Sequence, residues 1–197
     1  MIKMLVSARK KPGMTDQEYS DYWGGHHGDL VREHGRKIGF RRYIQTHLID
    51  NRMPAVLDGT EGEDTPKNGQ AELYWESVEA MMDAGSTPEG RAASDLFEVD
   101  EKRFCDVSNL SAFLADEHVL IDDNPAARYD CPASDAKLIV ELWRKDDTSS
   151  FTDWFERHRA FISGAGVSLG VFRYIVNTPI DDDRFNFAKA RGWKPAP

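Results

Sequence analysis

Three polar side chains occupy alternate positions of one predicted strand, residues 40–49. Because side chains of a strand alternate between its two faces, Tyr43, Gln45 and His47 share a face, and the opposite face begins at Phe40 and is expected to pack under the helices. A phenol, an amide and an imidazole together are unusual on a face that must be at least partly buried. The pattern therefore predicts that this face lines a cavity.

Two adjacent histidines, His26 and His27, lie in a predicted helix over residues 16–36. Consecutive helical residues point about 100° apart, so the two imidazoles cannot enter one cavity equally. We expect His27 to act as a general acid or base, since an imidazole gains and loses its proton near neutral pH. Tyr43 and Gln45 would then complete the catalytic set by stabilising a developing enolate or phenolate oxygen.

The remaining candidates are expected to bind substrate around these three catalytic residues. They are aromatic or imidazole side chains of the same helix and of the predicted strands: Tyr22, Trp23, His26, His47 and Tyr74. Each has a structural alternative. Tyr22 and Trp23 belong to an apolar stripe typical of a core-facing helix, His27 could be half exposed, Tyr43 could be core, and His47 could face water at a strand end.

Several other chemistries lack their usual motifs. No glycine-rich turn follows a strand to cradle a phosphate, and no serine occupies an elbow motif. No helical pair of histidines has metal-ligand spacing, and the two cysteines, Cys105 and Cys131, show neither metal nor redox spacing. We therefore expect no metal and no tightly bound cofactor.

The segment over residues 14–50 recurs in a diverged form over residues 148–181. Internal similarity of this kind indicates a duplicated folding unit. The alignment matches Tyr43 with Tyr174, and it replaces Gln45 and His47 by smaller side chains. It also pairs His26 with His158 and His27 with Arg159. The simplest interpretation is that the first copy keeps a working pocket and the second is its structural counterpart.

The periodicity of the chain predicts an α+β fold of ferredoxin-like β-α-β-β-α-β units. Thr15 and Glu18 have capping-box spacing at the start of the first helix. The elements of the first unit, over residues 1–121, are strands at 2–9, 40–49, 70–77 and 111–121, helices at 16–36 and 78–106, and a solvated loop at 51–69. The second helical pattern is interrupted by Gly85, Pro88 and Gly90.

A linker over residues 122–135 is expected to lead to a second, incomplete unit over residues 136–197. This unit would hold a strand at 136–144, a helix at 150–163 and a strand at 171–178. A half-finished unit would leave an open sheet edge. We therefore expect the chain to be a fragment of a longer protein or, as the less favoured alternative, to be completed by a partner.

The composition favours a soluble, cytoplasmic protein. The 197 residues include 40% hydrophobic residues, enough for a core, and carry a formal net charge of −9. An acidic chain argues against a nucleic-acid partner. The short apolar N-terminal run resembles neither a signal peptide nor a membrane span, and both cysteines are expected to be reduced thiols.

One helix and one strand resemble a known family. A helix carrying Tyr22, Trp23 and His27, followed by Leu30 and Val31 and then by the strand RRYIQTH, resembles the EthD family. The resemblance extends over most of residues 1–121 and more weakly over 136–181. It implies the dimeric α/β-barrel fold, in which two ferredoxin-like units pack their sheets around a lumen. The two copies would then pair as an intrachain pseudo-dimer, with a homodimer as the other possibility.

The expected function is EthD-like chemistry on a small, hydrophobic cyclic or carbonyl metabolite bound in the lumen. Proton transfer would lead to dehydration, isomerisation or cofactor-independent oxygenation, as an oxidoreductase or a lyase or isomerase. Two alternatives stay open. One is a non-catalytic binding or accessory protein for a hydrophobic metabolite, and the other is a haem-binding barrel with a histidine ligand. Fold alone does not choose among them.

Overall fold

The structure is a computed structural model that describes residues 1–48, 67–122, 137, 139–140, 150–165, 171, 173–180 and 194–195. The chain divides into two compact units. One comprises Met1–Ala115 with Pro179–Ala196, and the other comprises Asp116–Thr178 with Pro197. Each unit is described by itself below.

The first unit begins with four strands and two helical stretches in ferredoxin-like order. The strands are β1 Ile2–Ala8, β2 Arg42–His47, β3 Gly69–Trp75 and β4 Ser111–Asp122. They form a sheet in the order β2-β3-β1-β4, in which β1 pairs antiparallel with β3 and β4, and β2 pairs antiparallel with β3. This is the topology of the β-α-β-β-α-β unit, and the predicted fold class is confirmed.

The first helical stretch is continuous but changes its winding three times. It consists of α1 Asp16–Tyr22, a π-helical turn Trp23–His27, α2 Gly28–His34 and a 3₁₀ turn Gly35–Ile38. The predicted capping box starts it: the Thr15 side chain accepts from the Glu18 backbone N–H, and the Glu18 carboxylate accepts from the Thr15 N–H at 2.8 Å. Gly39, at φ 82°, ends the stretch, since left-handed backbone favours glycine.

The second helical stretch is divided at Thr87, within the segment where Gly85, Pro88 and Gly90 interrupt the predicted helical pattern. Helix α3 covers Val78–Ser86 and helix α4 covers Pro88–Phe104. Thr87 accepts a hydrogen bond from the Gly90 N–H at 2.9 Å, and Pro88 occupies the first turn, where its missing N–H costs nothing. The break between the helices sets the direction of α4. Its side chains Phe97, Asp100 and Phe104 face inward and are buried.

The face of β2 that packs under the helices is the opposite of the expected one. Tyr43 and Gln45 lie opposite Leu73 and Ala71 of β3, which belong to the hydrophobic core on the helix side of the sheet. Both side chains also bond to Trp23 in the helix. The sequence prediction placed the face beginning at Phe40 there, and it was wrong because helix groups supply partners for the polar side chains.

Trp23 packs on the sheet as part of the hydrophobic core. Trp23 is 2% exposed and joins the core formed by β1, β3 and β4. A Cβ on Gly69 would lie 2.4 Å from the Trp23 ring and 2.5 Å from the Thr46 carbonyl oxygen. The indole therefore rests directly on the β3 backbone, which fixes how far the helix can approach the sheet.

The second unit contains the end of β4, from Asp116 onward, helix α5 Phe151–Ala165 and strand β5 Arg173–Pro179, which is hydrogen-bonded to β4. A short strand β6, Lys194–Pro195, belongs to the first unit and pairs parallel with the start of β4. Both α5 and β5 lie where a helix and a strand were predicted. Most of the predicted strand at 136–144, the linker at 122–135 and most of the loop at 51–69 lie outside the described residues. The tandem pairing of two units stays a prediction, as does a homodimer.

Within the described part of the chain, no helix combines the length and the apolar character needed to cross a bilayer.

Candidate functional site

A buried histidine–carboxylate pair connects the two helical stretches. His27 Nδ1 lies 2.9 Å from Asp100 Oδ2, and the two residues are 6% and 2% exposed. The ring of His27 is enclosed by Phe104, Phe97 and Tyr43 at centroid distances of 5.0, 6.2 and 6.2 Å. A carboxylate that accepts from Nδ1 fixes the imidazole tautomer and leaves Nε2 as the basic nitrogen.

Two further groups bind the same carboxylate. The Tyr22 hydroxyl donates to Asp100 Oδ1 at 2.6 Å, and His26 Nε2 lies 3.2 Å from that oxygen. The expected divergence of the adjacent histidines is only partial, because the π-helical turn Trp23–His27 widens the helix at this point. Both imidazoles reach Asp100, but the His26 side chain is 51% exposed whereas that of His27 is buried.

The Gln45 amide has a single orientation that its partners impose. Its Nε2 donates to the Trp23 carbonyl at 2.8 Å and to the Tyr43 hydroxyl at 3.1 Å. A carbonyl oxygen only accepts, so the nitrogen must face it. Gln45 Oε1 is then turned toward His47, whose Nε2 lies 3.0 Å away and must carry the proton. His47 Nδ1 consequently accepts from the Ser20 hydroxyl at 2.8 Å.

The Tyr43 hydroxyl oxygen receives two donors. Trp23 Nε1 donates to it at 3.0 Å, in addition to the amide of Gln45. Indole N–H and amide N–H are donors only, so they occupy both acceptor positions of the oxygen. The phenolic proton of Tyr43 is left to be donated elsewhere. Burial raises the pKa of Tyr43 above its ordinary value, although both hydrogen bonds act in the opposite direction. Tyr43 therefore stays a protonated donor.

Burial also determines the protonation state of His47. Desolvation lowers the pKa of His47 below its ordinary value of 6.5, so the ring is neutral at neutral pH. The Trp23 ring lies 4.5 Å from it, centroid to centroid. A neutral imidazole with its proton on Nε2 matches the hydrogen-bond directions of the Gln45 network.

Tyr43 and Gln45 line an open cleft of about 460 Å³ between β2 and the α2 helix. Val31, Gly35 and Phe40 supply its apolar wall. The volume lies within the range of small-molecule sites. Tyr43 and Gln45 therefore lie at the wall of a cavity large enough for a small cyclic ligand.

The structure does not bring all predicted site residues to this cleft. Tyr22 and His26 border a second, more open depression of about 560 Å³. Trp23 is buried and supports Tyr43, while His47 supports Gln45. Tyr74 is on the other face of the sheet, where its hydroxyl donates to Glu72 Oε2 at 3.0 Å. Its separation follows from the register, in which Tyr74 lies opposite Arg42 and not Tyr43.

Asp100 and Ser20 were missed by the sequence prediction. Asp100 is 73 residues from His27, so only packing brings them together. A signal was nevertheless present, because Asp100 lies between Phe97 and Phe104 at helical spacings of three and four. A carboxylate inside an apolar stripe of a helix needs a buried partner. Ser20 carried no comparable signal.

The second unit repeats part of this arrangement. His158 Nε2 is hydrogen-bonded to the Tyr174 hydroxyl, and the His158 ring stacks on Trp154 at 4.6 Å. Sixteen residues separate His158 from Tyr174, and the same spacing separates His27 from Tyr43. This spacing pairs His158 with His27, whereas the sequence alignment had paired it with His26.

Among the described residues, no group of three or more His, Cys, Asp or Glu side chains is placed to hold a metal ion.

Comparisons with known proteins place the site in a family domain. The model of the EthD domain matches residues 11–108. The chain is similar to the solved structure of an EthD family protein from Bacillus halodurans, with 19% identity, 60% of this chain and 100% of that chain covered, and a TM-score of 0.41.

Two other solved structures show weaker identity. An Arabidopsis thaliana protein has 15% identity and a TM-score of 0.36, with 58% of this chain and 92% of that chain covered. A dimeric protein with a ferredoxin-like fold from Bacteroides fragilis has 8% identity and a TM-score of 0.38, with 57% and 92% covered. No curated protein matches the sequence. Residues 11–108, which carry His27, Tyr43, Gln45 and Asp100, form an EthD domain.

Proposed function

We propose that the EthD domain is an enzyme that moves a proton on a small cyclic or carbonyl compound bound in the cleft lined by Tyr43 and Gln45. The observation that carries this proposal is the Tyr43 hydroxyl. Two N–H donors occupy its oxygen, its own proton is not used by either bond, and Tyr43 lines the cleft. A fixed O–H donor that faces a cavity is suited to bind a carbonyl oxygen and the negative charge that develops on it.

His27 is the proposed base. His27 is not among the residues that line the cleft, but its ring centroid lies 6.2 Å from that of Tyr43, which does line it, and Asp100 fixes the His27 tautomer. In the proposed step, a C–H bond next to the ligand carbonyl breaks and its proton passes to His27 Nε2. The electron pair moves to the carbonyl oxygen, which Tyr43 stabilises by donation. Return of the proton to the same or another carbon completes an isomerisation, and loss of a β-hydroxyl as water completes a dehydration.

Gln45 and His47 have positioning roles in this proposal. The chain from Ser20 through His47 to Gln45 holds the amide that donates to Tyr43. Asp100 acts through His27 in the same way. Neither Asp100 nor His47 needs to contact the ligand.

The test is exchange of carbon-bound hydrogen in D2O. 1-Tetralone, an aromatic cyclic ketone, is incubated with the protein, and deuterium next to its carbonyl is measured by mass spectrometry. We expect exchange above the buffer rate, and a loss of about 10²-fold in Tyr43→Phe, the size reported for removal of one such donor. Tyr174→Phe is the matched control, since Tyr174 belongs to the other unit, and it should exchange at the parent rate.

The outcomes separate the enzyme from a carrier. Binding of 1-tetralone without exchange, detected by calorimetry, would support the non-catalytic binding protein in place of the enzyme. Exchange that Tyr43→Phe leaves unchanged would contradict the assigned donor, and the absence of both binding and exchange would contradict the proposed ligand class.

A further inference from the structure

The cleft is positively charged although the protein is acidic. Four of its lining residues are arginines, Arg32, Arg36, Arg41 and Arg42, and none of its lining residues in the described part of the chain is acidic. The whole chain has a formal net charge of −9. A concave site of opposite sign to the protein concentrates ligands of the protein's own sign, here anions.

Surface ion pairs offset only part of this charge. Arg32 is paired with Asp29 three residues earlier, and Arg41 Nε lies 3.4 Å from Glu76 Oε2. Both pairs are well exposed, so their interaction is weak. The Arg42 guanidinium lies over the Tyr74 ring at 5.0 Å. Arg36 is exposed and forms no side-chain hydrogen bond or ion pair with the described residues.

Aromatic side chains form part of the wall beside these arginines. The rings of Phe40 and Tyr43 are parallel within 5° at a centroid distance of 6.4 Å, and Phe97 continues the stack beyond Phe40 at 3° and 6.3 Å. An aromatic or other planar ring is complementary to such a surface. The cleft thus combines an apolar wall of aromatic rings with guanidinium groups at its rim.

We propose that the ligand class of this site is a cyclic carboxylic acid, whose ring lies against Phe40 and Tyr43 and whose carboxylate is bound by Arg36. This rests on the proposed function, because it names the ligand of the same cleft. The planar guanidinium fork matches a carboxylate in bidentate geometry. The carboxylate anchors the ring and takes no part in the proton transfer.

A carboxylate suits the site better than a phosphate. The helix runs through Gly28 without a break, and the Gly28 backbone N–H is already bonded to carbonyls of the preceding turn. The cleft therefore offers no free helix N-terminus of the kind that binds phosphate groups. Recognition of the anion falls to the arginine side chains.

The test compares an acid with its neutral ester. Binding of 1-naphthoate and of methyl 1-naphthoate to the intact chain is measured by calorimetry at low salt. We expect the wild type to prefer the acid by about tenfold, and added salt to reduce the preference because exposed charges are screened. Arg36→Gln should lower the preference about threefold to tenfold, and Arg36→Lys, which keeps the charge without the fork, should fall in between.

Lys37→Gln is the matched control. Lys37 is the neighbouring exposed cation, but it does not line the cleft and its Nζ lies 2.9 Å from His34 Nδ1. The Lys37→Gln substitution removes the same charge as Arg36→Gln and should leave the preference for the acid over the ester unchanged. An equal effect of both substitutions would mean that net charge, not the cleft, attracts the acid, and this would overturn the inference.

Other outcomes separate this inference from the proposed function. Equal affinity for acid and ester, or no binding of the acid up to about 1 mM, overturns the inference and leaves the proton-transfer proposal to its own test. A preference that is present in a protein inactive toward 1-tetralone would uphold the ligand class while the enzyme proposal fails.

Discussion

The His27 region and the His158 region start from the same three side-chain types and use them differently. Trp23, His27 and Tyr43 in the first unit have the spacing of Trp154, His158 and Tyr174 in the second. In the second unit, tryptophan and histidine stack within 14° and the histidine bonds directly to the tyrosine. In the first, the tryptophan bonds to the tyrosine and the histidine bonds to a carboxylate.

The winding of the helix also differs between the two regions. Trp154 and His158 lie in a regular α-helix, where side chains four residues apart are neighbours. Trp23 and His27 are the two ends of a π-helical turn. Trp23 bonds to Tyr43 of β2, whereas His27 bonds to Asp100 of α4. The comparison teaches that the same residue types at the same spacing take different roles in differently wound helices.

The largest expected effect distinguishes the two histidines by activity. His27→Asn keeps a donor for Asp100 but removes the base, and we expect deuterium exchange into 1-tetralone to fall by about 10²–10⁴-fold. His158→Asn should change it by less than about twofold, as expected for a group outside the proposed site. Comparable losses in the two variants would show that the regions act together.

The next largest effect concerns Asp100. Among the described contacts, His158 has no corresponding carboxylate. Asp100 is buried, and its carboxylate contacts the polar groups of Tyr22, His26 and His27. Asp100→Ala leaves three polar groups without their acceptor, so we expect the free energy of unfolding to fall by about 3–5 kcal/mol. Urea denaturation measures it, with exposed Asp29→Ala as the control. An unchanged midpoint would contradict the buried pair.

A smaller effect comes from exchanging a residue between the regions. Position 45 corresponds to Val176 in the second unit. Gln45→Val removes the donor to the Trp23 carbonyl and the partner of His47, and it should cost about 1–3 kcal/mol in unfolding free energy. Gln45→Glu is a useful companion, because it retains the acceptor for His47 while losing the donor. If Gln45→Val is neutral in urea, the network does not hold Tyr43.

The smallest effect is a pH dependence specific to the first region, since Thr178 occupies the position of His47 in the second. Burial lowers the pKa of His47 below 6.5, so the unfolded chain binds more protons just below pH 6.5. The stability from His47 is complete above pH 6.5 and declines as the pH falls through that window. We expect His47→Gln to lose less stability than the wild type between about pH 7.5 and 5 in urea denaturation. Parallel plots of unfolding free energy against pH for the wild type and His47→Gln would contradict the lowered pKa of His47.

The order of elements in the first unit was predictable because it depends on local signals. Alternating strands, the Thr15 capping box and the aromatic stripe of the first helix each act within a few residues. The π-helical turn was not predictable, because WGGHH has no local feature that prefers it. Without the turn, neither the shared approach of both histidines to Asp100 nor the bond from Trp23 to Tyr43 could be inferred.

The site was predictable in its residue types but not in its directions. Tyr43 and Gln45 were identified because polar groups in a strand centre need partners, and both line the cleft. The sequence could not say which face of β2 meets the helix, since Trp23 decides it. Their catalytic role, and that of His27, stays a prediction until exchange is measured.

The contact between Trp23 and Gly69 has a consequence for how the site can diversify. No side chain of any size fits at position 69 without moving the indole, and the indole holds Tyr43. Related sequences that acquire a new ligand are therefore expected to keep this inner support and to vary the solvent-facing guanidinium groups, where a substitution disturbs no packing. Recognition and scaffold can in this way evolve almost independently.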